Sequence, residues 1–235
     1  MTGGRPIGVL TGLAFEAKLA KSLARQAAEG TADPQIRCAA AAAERAASEA
    51  AALCRQGVAA LLSFGIAGGL DPALPTGSIV LAREIRSAAG ETLPCDPAWQ
   101  QRVLDQAGDL PLLRAPLAAA ELPLTDAAAK AALFAASGAA AVDMESLAAA
   151  RAAAAAGLPF LALRSIADPA DRGLPHAALA PLHADGAPQT LLVLGRLAAR
   201  PWDLPALLRL GRDAQTAARA LTALRPLATP LFGGF

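Results

Sequence analysis

The chain has 235 residues, of which 54% are hydrophobic and 17% charged, and its net charge is +1. That length buries a sizeable core and fits one large domain or two small ones, and so apolar a composition excludes an intrinsically disordered chain. The near-zero charge leaves no global nucleic-acid footprint, and no run of about 18 apolar, charge-free residues marks a membrane span.

Glycine and proline punctuate the chain into alternating strand-like and helix-like pieces. Ile7–Leu10 reads as a short strand, and Leu13–Glu29 as a helix with Glu16, Lys18, Lys21 and Arg25 among its polar positions. Cys38–Gln56 is an alanine-rich helix stopped by Gly57. Val58–Phe64 is a buried strand that runs into a glycine-rich turn, and Ser78–Ala82 is another strand. Trp99–Asp105 reads as a helix and Leu112–Ala115 as a strand. Thr125–Ser137 follows as a helix, with Thr125 as cap and Gly138 as stop. Ala139–Asp143 is a strand, Ser146–Ala156 a helix and Phe160–Ile166 a strand. Pro188–Ala199 and Leu204–Leu224 close the chain as helices interrupted by Pro201 and Pro205.

Strands alternating with helices predict an α/β fold with a mixed, mostly parallel β-sheet flanked by helices, formed by one domain over 1–235. The hydrophobic fraction is carried by alanine and leucine, with no tyrosine, two tryptophans and six phenylalanines. The alanine runs are helix formers that permit close packing.

Cys38, Cys54 and Cys95 form no CxxC pair, which argues for a reducing compartment and against a disulfide framework or structural zinc. No apolar leader follows Met1, so the expected location is cytoplasmic. From Gly195 to Phe235 six arginines face two aspartates, a local +4 that leaves −3 for the rest. Such an end solvates a helix face or meets an anionic lipid surface, so a peripheral contact with the inner membrane joins the expectations. His176 and His183 lie in the loop-like stretch from Asp171 to Pro188, without the neighbours of a metal site. No metal and no organic cofactor is expected. The glycine and proline content of that stretch suits a cover over an active site.

In α/β sheets ligands gather beyond the carboxyl ends of strands. Three such ends carry chemistry-bearing residues: Gly65–Pro72, Asp143–Ser146 and Ser165–Pro169. A turn of Gly65, Gly68 and Gly69 lets backbone amides approach an anion or a sugar closely, although it matches neither GxGxxG nor a P-loop. That mismatch weakens a dinucleotide-binding oxidoreductase reading. Taken singly, Glu16, Glu145 and Asp168 read as a solvated helix residue, a first-turn acid and a cap.

Together the segments resemble the purine nucleoside phosphorylase and nucleosidase superfamily, and in particular the methylthioadenosine/adenosylhomocysteine nucleosidases. The resemblance rests on Ala67-Gly68-Gly69-Leu70-Asp71-Pro72, Asp143-Met144-Glu145 and Arg164-Ser165-Ile166-Ala167-Asp168, with Gly8–Glu16 as the N-terminal element. A narrower likeness, on Thr11–Lys18 and Pro201–Ala214, is to the hopanoid-associated phosphorylase branch. It implies release of adenine from adenosylhopane, a lipid-linked nucleoside, with inorganic phosphate as a candidate co-substrate and a homo-oligomeric assembly.

The resemblance casts Asp168 as the acid at purine N7 and Glu16 as the residue that orients and deprotonates water. Met144 and Glu145 would hold the ribose, and Gly65, Ile66, Ala67 and Gly68 would line the substrate. Gly68 and Arg164 are the phosphate candidates. Ile66 stands where the nucleosidases often have Ser or Thr, and no arginine falls at the N-terminal turn, where many phosphorylases hold phosphate. The family name favours phosphorolysis and the retained Glu16 favours hydrolysis, so the nucleophile stays open, with phosphorolysis the leading expectation. The alternatives are a methylthioadenosine/adenosylhomocysteine nucleosidase and a non-catalytic nucleoside-binding protein of lipid synthesis. Phe15, Phe64 and Phe160 are the aromatic rings near strand ends.

Overall fold

The computed structural model describes residues 4–234. In chain order the elements are β1 (Gly8–Thr11), α1 (Ala14–Ala24), β2 (Gln35–Cys38), α2 (Ala43–Arg55), β3 (Leu61–Gly69), β4 (Ile79–Arg86) and β5 (Thr92–Pro94). Then come α3 (Pro97–Asp105), β6 (Leu112–Ala119), α4 (Ala127–Ser137), β7 (Ala141–Asp143), α5 (Ser146–Ala156) and β8 (Phe160–Asp168). The C-terminal part holds α6 (Thr190–Ala199), α7 (Leu204–Thr222) and α8 (Ala228–Phe232), with short 3-10 turns at His176–Leu179, Pro201–Asp203 and Arg225–Leu227.

The eight strands form one mixed sheet in which the parallel pairs predominate, as the alternating pattern predicts. The antiparallel pairs are β3 with β7, β4 with β5 and β4 with β8. These contacts close a ring that strand spacing does not announce: β3 pairs β8, β8 pairs β4, β4 pairs β6, β6 pairs β7, and β7 returns to β3. β1 and β2 extend outward from the first half of β3.

β3 and β8 read as near-continuous apolar runs because they are covered on both faces. Helix α2 buries Ala46, Ala50 and Leu53 at helical spacing and packs on α5, which buries Ala149, Ala150 and Ala153. Facing alanines let the two helices approach closely. Helix α7 lays Ala217 and Leu221 against the sheet beside β8. Trp99 of α3 is buried, and its indole N–H donates to the Pro230 carbonyl at 2.8 Å, which ties the C-terminus to the core.

Several boundaries differ from the sequence reading, each through a tertiary contact. Gly65–Gly69, expected as a turn, continues β3, because β7 and β8 pair with its two edges there. Cys38 ends β2 rather than starting a helix, since β1 offers Thr11 as its partner. Helix α1 stops at Ala24, and the Ala28 amide beyond it donates to Thr229 Oγ1 of α8 at 3.0 Å. Asp126, not Thr125, caps α4, accepting from the Ala129 amide at 2.8 Å. Pro205 sits in the first turn of α7, where its missing N–H costs nothing. The hairpin strand β5 was not anticipated.

Gly157 ends α5 in the left-handed region, at φ 65°, with nothing near the place a Cβ would occupy. Gly157→Ala therefore tests backbone strain alone. It should lower unfolding stability by about 1–2 kcal/mol in urea titrations, with the m-value unchanged.

Candidate active site

The site forms where β3 brings three other chain segments together. β1 runs beside β3 and ends at Thr11, so Gly12 and Leu13 lead into α1 next to Gly65 and Ile66. β8 runs parallel to β3 until Asp168 stands opposite Gly68. β7 arrives antiparallel, with Val142 opposite Gly68, and delivers Asp143, Met144 and Glu145 from the other direction. A cavity of ≈ 160 Å³ results, and Glu16, Ile66, Ala67, Gly68, Met144, Glu145 and Asp168 all line it. Of the expected site residues, Gly65 and Arg164 lie outside this lining.

Glu16 is buried at the third position of α1, and its carboxylate accepts three backbone N–H groups. Oε2 takes those of Gly12 and Leu13, each at 2.8 Å, and Oε1 takes that of Ile66 at 2.7 Å. Four lone-pair positions less three donors leave one acceptor position on Oε1. Burial pushes the Glu16 carboxyl above its ordinary range, against the opposing pull of Arg164 and the three amides.

Two glycines permit this crowding. A Cβ on Gly12 would stand 2.5 Å from Glu145 Oε1, and one on Gly65 would collide with the Glu16 carboxyl. Gly65 thus serves the site by leaving room, not by touching a ligand. The expected anion-binding amides of Gly65–Gly69 are corrected in part: the Ile66 amide is taken by Glu16, and the segment is strand, paired with β8 through Gly68 and with β7 at Gly68 and Gly69.

Arg164 is fully buried behind the cavity. Its Nε donates to Asp143 Oδ2 at 2.5 Å, and Nη2 donates to Ser63 Oγ at 2.6 Å and to Ser146 Oγ at 3.2 Å. Glu145 Oε2 lies 3.6 Å from Nη2. The Ser146 hydroxyl donates to Asp143 as well. Arg164 is therefore not placed as a phosphate donor. It is the counter-charge beside the acids, with Nε and Nη2 taken by Asp143, Ser63 and Ser146 and the residue outside the cavity lining.

Glu145 is pushed up to about 8, first by burial and then by the neighbouring Asp143 and Glu16, with Arg164 acting in the opposite sense. Asp168 is also raised by burial, while Lys130 pulls it down. Lys130 is a residue the sequence reading missed. Its Nζ, buried on α4, lies 2.5 Å from Asp168 Oδ2 and donates to the Pro169 carbonyl at 3.0 Å. The available signal was a lone charge in the otherwise apolar helix Ala127–Ser137.

The expected rings Phe15, Phe64 and Phe160 do not line the cavity; Leu13, Leu122, Leu124, Val142 and Leu174 supply its apolar surface. The stretch expected as a cover does cross the site: Leu174 lines the cavity, and the Gly186 carbonyl accepts the Ala14 N–H at 3.2 Å. Among the described residues no group of three or more His, Cys, Asp or Glu is placed to hold a metal ion.

The raised Glu145 has a consequence for stability. Between its ordinary 4.5 and about 8 the folded state keeps a proton that the unfolded chain has lost. Stability therefore falls as pH rises through that window. Urea midpoints at pH 5.5 and 8.5 should show this fall in the parent protein and a smaller one in Glu145→Gln.

Comparison with known proteins agrees with this geometry. No curated protein matches the chain by sequence. Among solved structures, the 5′-methylthioadenosine/S-adenosylhomocysteine nucleosidase of Colwellia psychrerythraea in complex with adenine has TM-score 0.69 and 18% identity, covering 100% of this chain and 99% of that one. The corresponding nucleosidase of Helicobacter pylori has TM-score 0.65 and 16% identity, covering 93% and 96%. Futalosine hydrolase of Helicobacter pylori has TM-score 0.65 and 17% identity, covering 93% and 96%. At these identities the likeness is one of fold. The family model described as the phosphorylase superfamily matches residues 30–189, well over half of the chain. With its ring of strands closed around buried carboxylates, the chain belongs to the phosphorylase superfamily.

Proposed function

We propose that this enzyme cleaves the N-glycosidic bond of an adenine nucleoside. The observation that carries the reading is the convergence of Glu16, Glu145 and Asp168, from three separate stretches of chain, on one cavity. The solved neighbour with adenine bound supports the same ligand class.

Breaking the bond leaves positive charge on the ribose and an electron pair on the departing purine. Asp168, raised by burial, supplies a proton to purine N7, so adenine leaves neutral. Glu145 accepts from the ribose hydroxyls and Met144 packs on the sugar. Glu16 uses its remaining acceptor position to hold a water, and it takes a proton as the water oxygen bonds to the anomeric carbon.

The lining favours water over phosphate as the nucleophile. Four carboxylates, Glu16, Asp143, Glu145 and Asp168, face the cavity, and the cation among the described lining residues, Lys130, is spent on Asp168 and two carbonyls. A phosphate dianion entering there finds a lining of acid groups that contains no guanidinium. The family name had led to an expectation of phosphorolysis; the site chemistry supports hydrolysis instead.

For the 5′ side we propose a large apolar substituent, with adenosylhopane as the leading substrate. A groove of ≈ 920 Å³ adjoins the cavity and shares Ala120, Leu122, Leu124 and Met144 with it. Ala47, Leu133 and Leu147 continue its apolar wall. A methylthio group would leave most of that volume empty.

Chromatography of reaction products with and without phosphate tests the reading. Adenine and a free ribosyl product should appear in both cases, with kcat/KM higher for adenosylhopane than for methylthioadenosine. Asp168→Asn and Glu16→Gln should each lower kcat by about 100-fold or more. Absence of adenine release from both substrates would overturn the proposal, and a strict requirement for phosphate would overturn its hydrolytic form.

A further inference from the structure

Helix α6 contains no buried residue. Leu191, Leu194, Gly195 and Ala198 recur at i, i+3, i+4 and i+7, so they share one face, and all four are exposed. Leu191 is 86% exposed and Leu194 53%; Trp202, in the next 3-10 turn, is 70% exposed, and Leu208 on α7 54%. Six of the eight large exposed hydrophobics among the described residues fall between 191 and 208. Surface apolar residues scattered singly need no explanation, but a cluster of this kind marks an interaction surface.

The charge in the same stretch is one-sided. Arg196, Arg200, Arg209 and Arg212 stand against Asp203 and Asp213, the latter already paired with Arg172, and Arg200, Arg209 and Arg212 are exposed. An aliphatic helix face, an exposed indole and a fringe of guanidinium groups are complementary to an anionic bilayer surface. The aliphatic side chains enter the acyl boundary, the indole sits at headgroup depth, and the arginines meet the lipid phosphates. No helix among the described residues is long and apolar enough to cross a membrane, so such contact is made from one side.

We propose that α6, the Pro201–Asp203 turn and the start of α7 dock this protein onto an anionic lipid surface. The anchor is joined to the active site through the chain. Helix α6 packs on the His176–Leu179 turn, and Arg196 Nη1 donates to the His176 carbonyl at 3.4 Å. The same segment carries Gly186, bonded to Ala14, and Leu174, which lines the cavity. Docking thereby acts on the strap that crosses the site. The lipid contact itself does not depend on the glycosidic reading and is measured without reference to activity.

The protein carries its own probe. Its tryptophans are Trp99 and Trp202. Trp99 is fully buried and hydrogen-bonded, so a change in emission on adding lipid reports on Trp202. The full chain is titrated at low salt with vesicles of phosphatidylcholine, alone or with about one third phosphatidylglycerol. With the mixed vesicles the protein should sediment, its emission should shift to the blue, and brominated acyl chains should quench it. Added salt at about 0.5 M should weaken binding roughly tenfold. Leu191→Glu with Leu194→Glu should abolish sedimentation, whereas Trp202→Phe should lose the optical signal and keep most of the binding. Unchanged emission and no sedimentation with phosphatidylglycerol would overturn the proposal, as would equal binding by the double variant. A double variant that lowers the oligomeric state while lipid binding persists would show a protein interface instead. Should the double variant not fold, the shift and quenching of the parent protein decide the matter.

Discussion

One buried guanidinium organises the site. Arg164 sits inside the ring of strands, with Asp143, Ser63 and Ser146 in hydrogen-bonding range and Glu145 just beyond. Burying Asp143, Glu145 and Glu16 together is costly unless a counter-charge is fixed among them. β8 supplies it from a fully buried strand residue. Glu145 still sits far above its ordinary range, so the counter-charge only partly offsets burial and like-charge crowding. The result is that burial holds the Glu16, Glu145 and Asp168 carboxyls above their ordinary range.

The small side chains of this protein serve the same end. Gly12 and Gly65 leave the space in which Glu145 and Glu16 approach the backbone, and a methyl group at either position would displace a carboxyl. Alanines on α2 and α5 do for the helices what these glycines do for the strands. A composition rich in alanine and poor in aromatics is thus more than a filler of apolar volume. It permits close approach, and it leaves a cavity lined by leucine and valine instead of rings.

Much of this was legible in the sequence. The alternation of strands and helices predicts the α/β class, and Ser146–Ala156 is bounded correctly because Glu145 and Gly157 flank an uninterrupted alanine run. Taken singly the acids Glu16, Glu145 and Asp168 read as ordinary helix and turn residues, and only the resemblance of their segments to a known superfamily singles them out. The direction of β7 and the closure of the ring were not legible, because three residues carry no signal of the partner they will pair with. The Gly65–Gly69 segment misled for a related reason. Glycine is permissive of both turn and strand, and here neighbours on both edges decide for strand.

Sequence alone determined the fold class and the lopsided charge of the C-terminal part, since each is written in local pattern or in composition, while the three acids were marked only by the resemblance of their segments to a known superfamily. Tertiary structure alone decided what those residues do to one another. It placed Lys130 against Asp168, hid Arg164 behind Asp143, spent three amides on Glu16, and left the leucines of α6 and Trp202 exposed. The physical reason is that proton affinity and charge depend on burial and on distances between segments far apart in the chain, and those distances exist only once the sheet has closed.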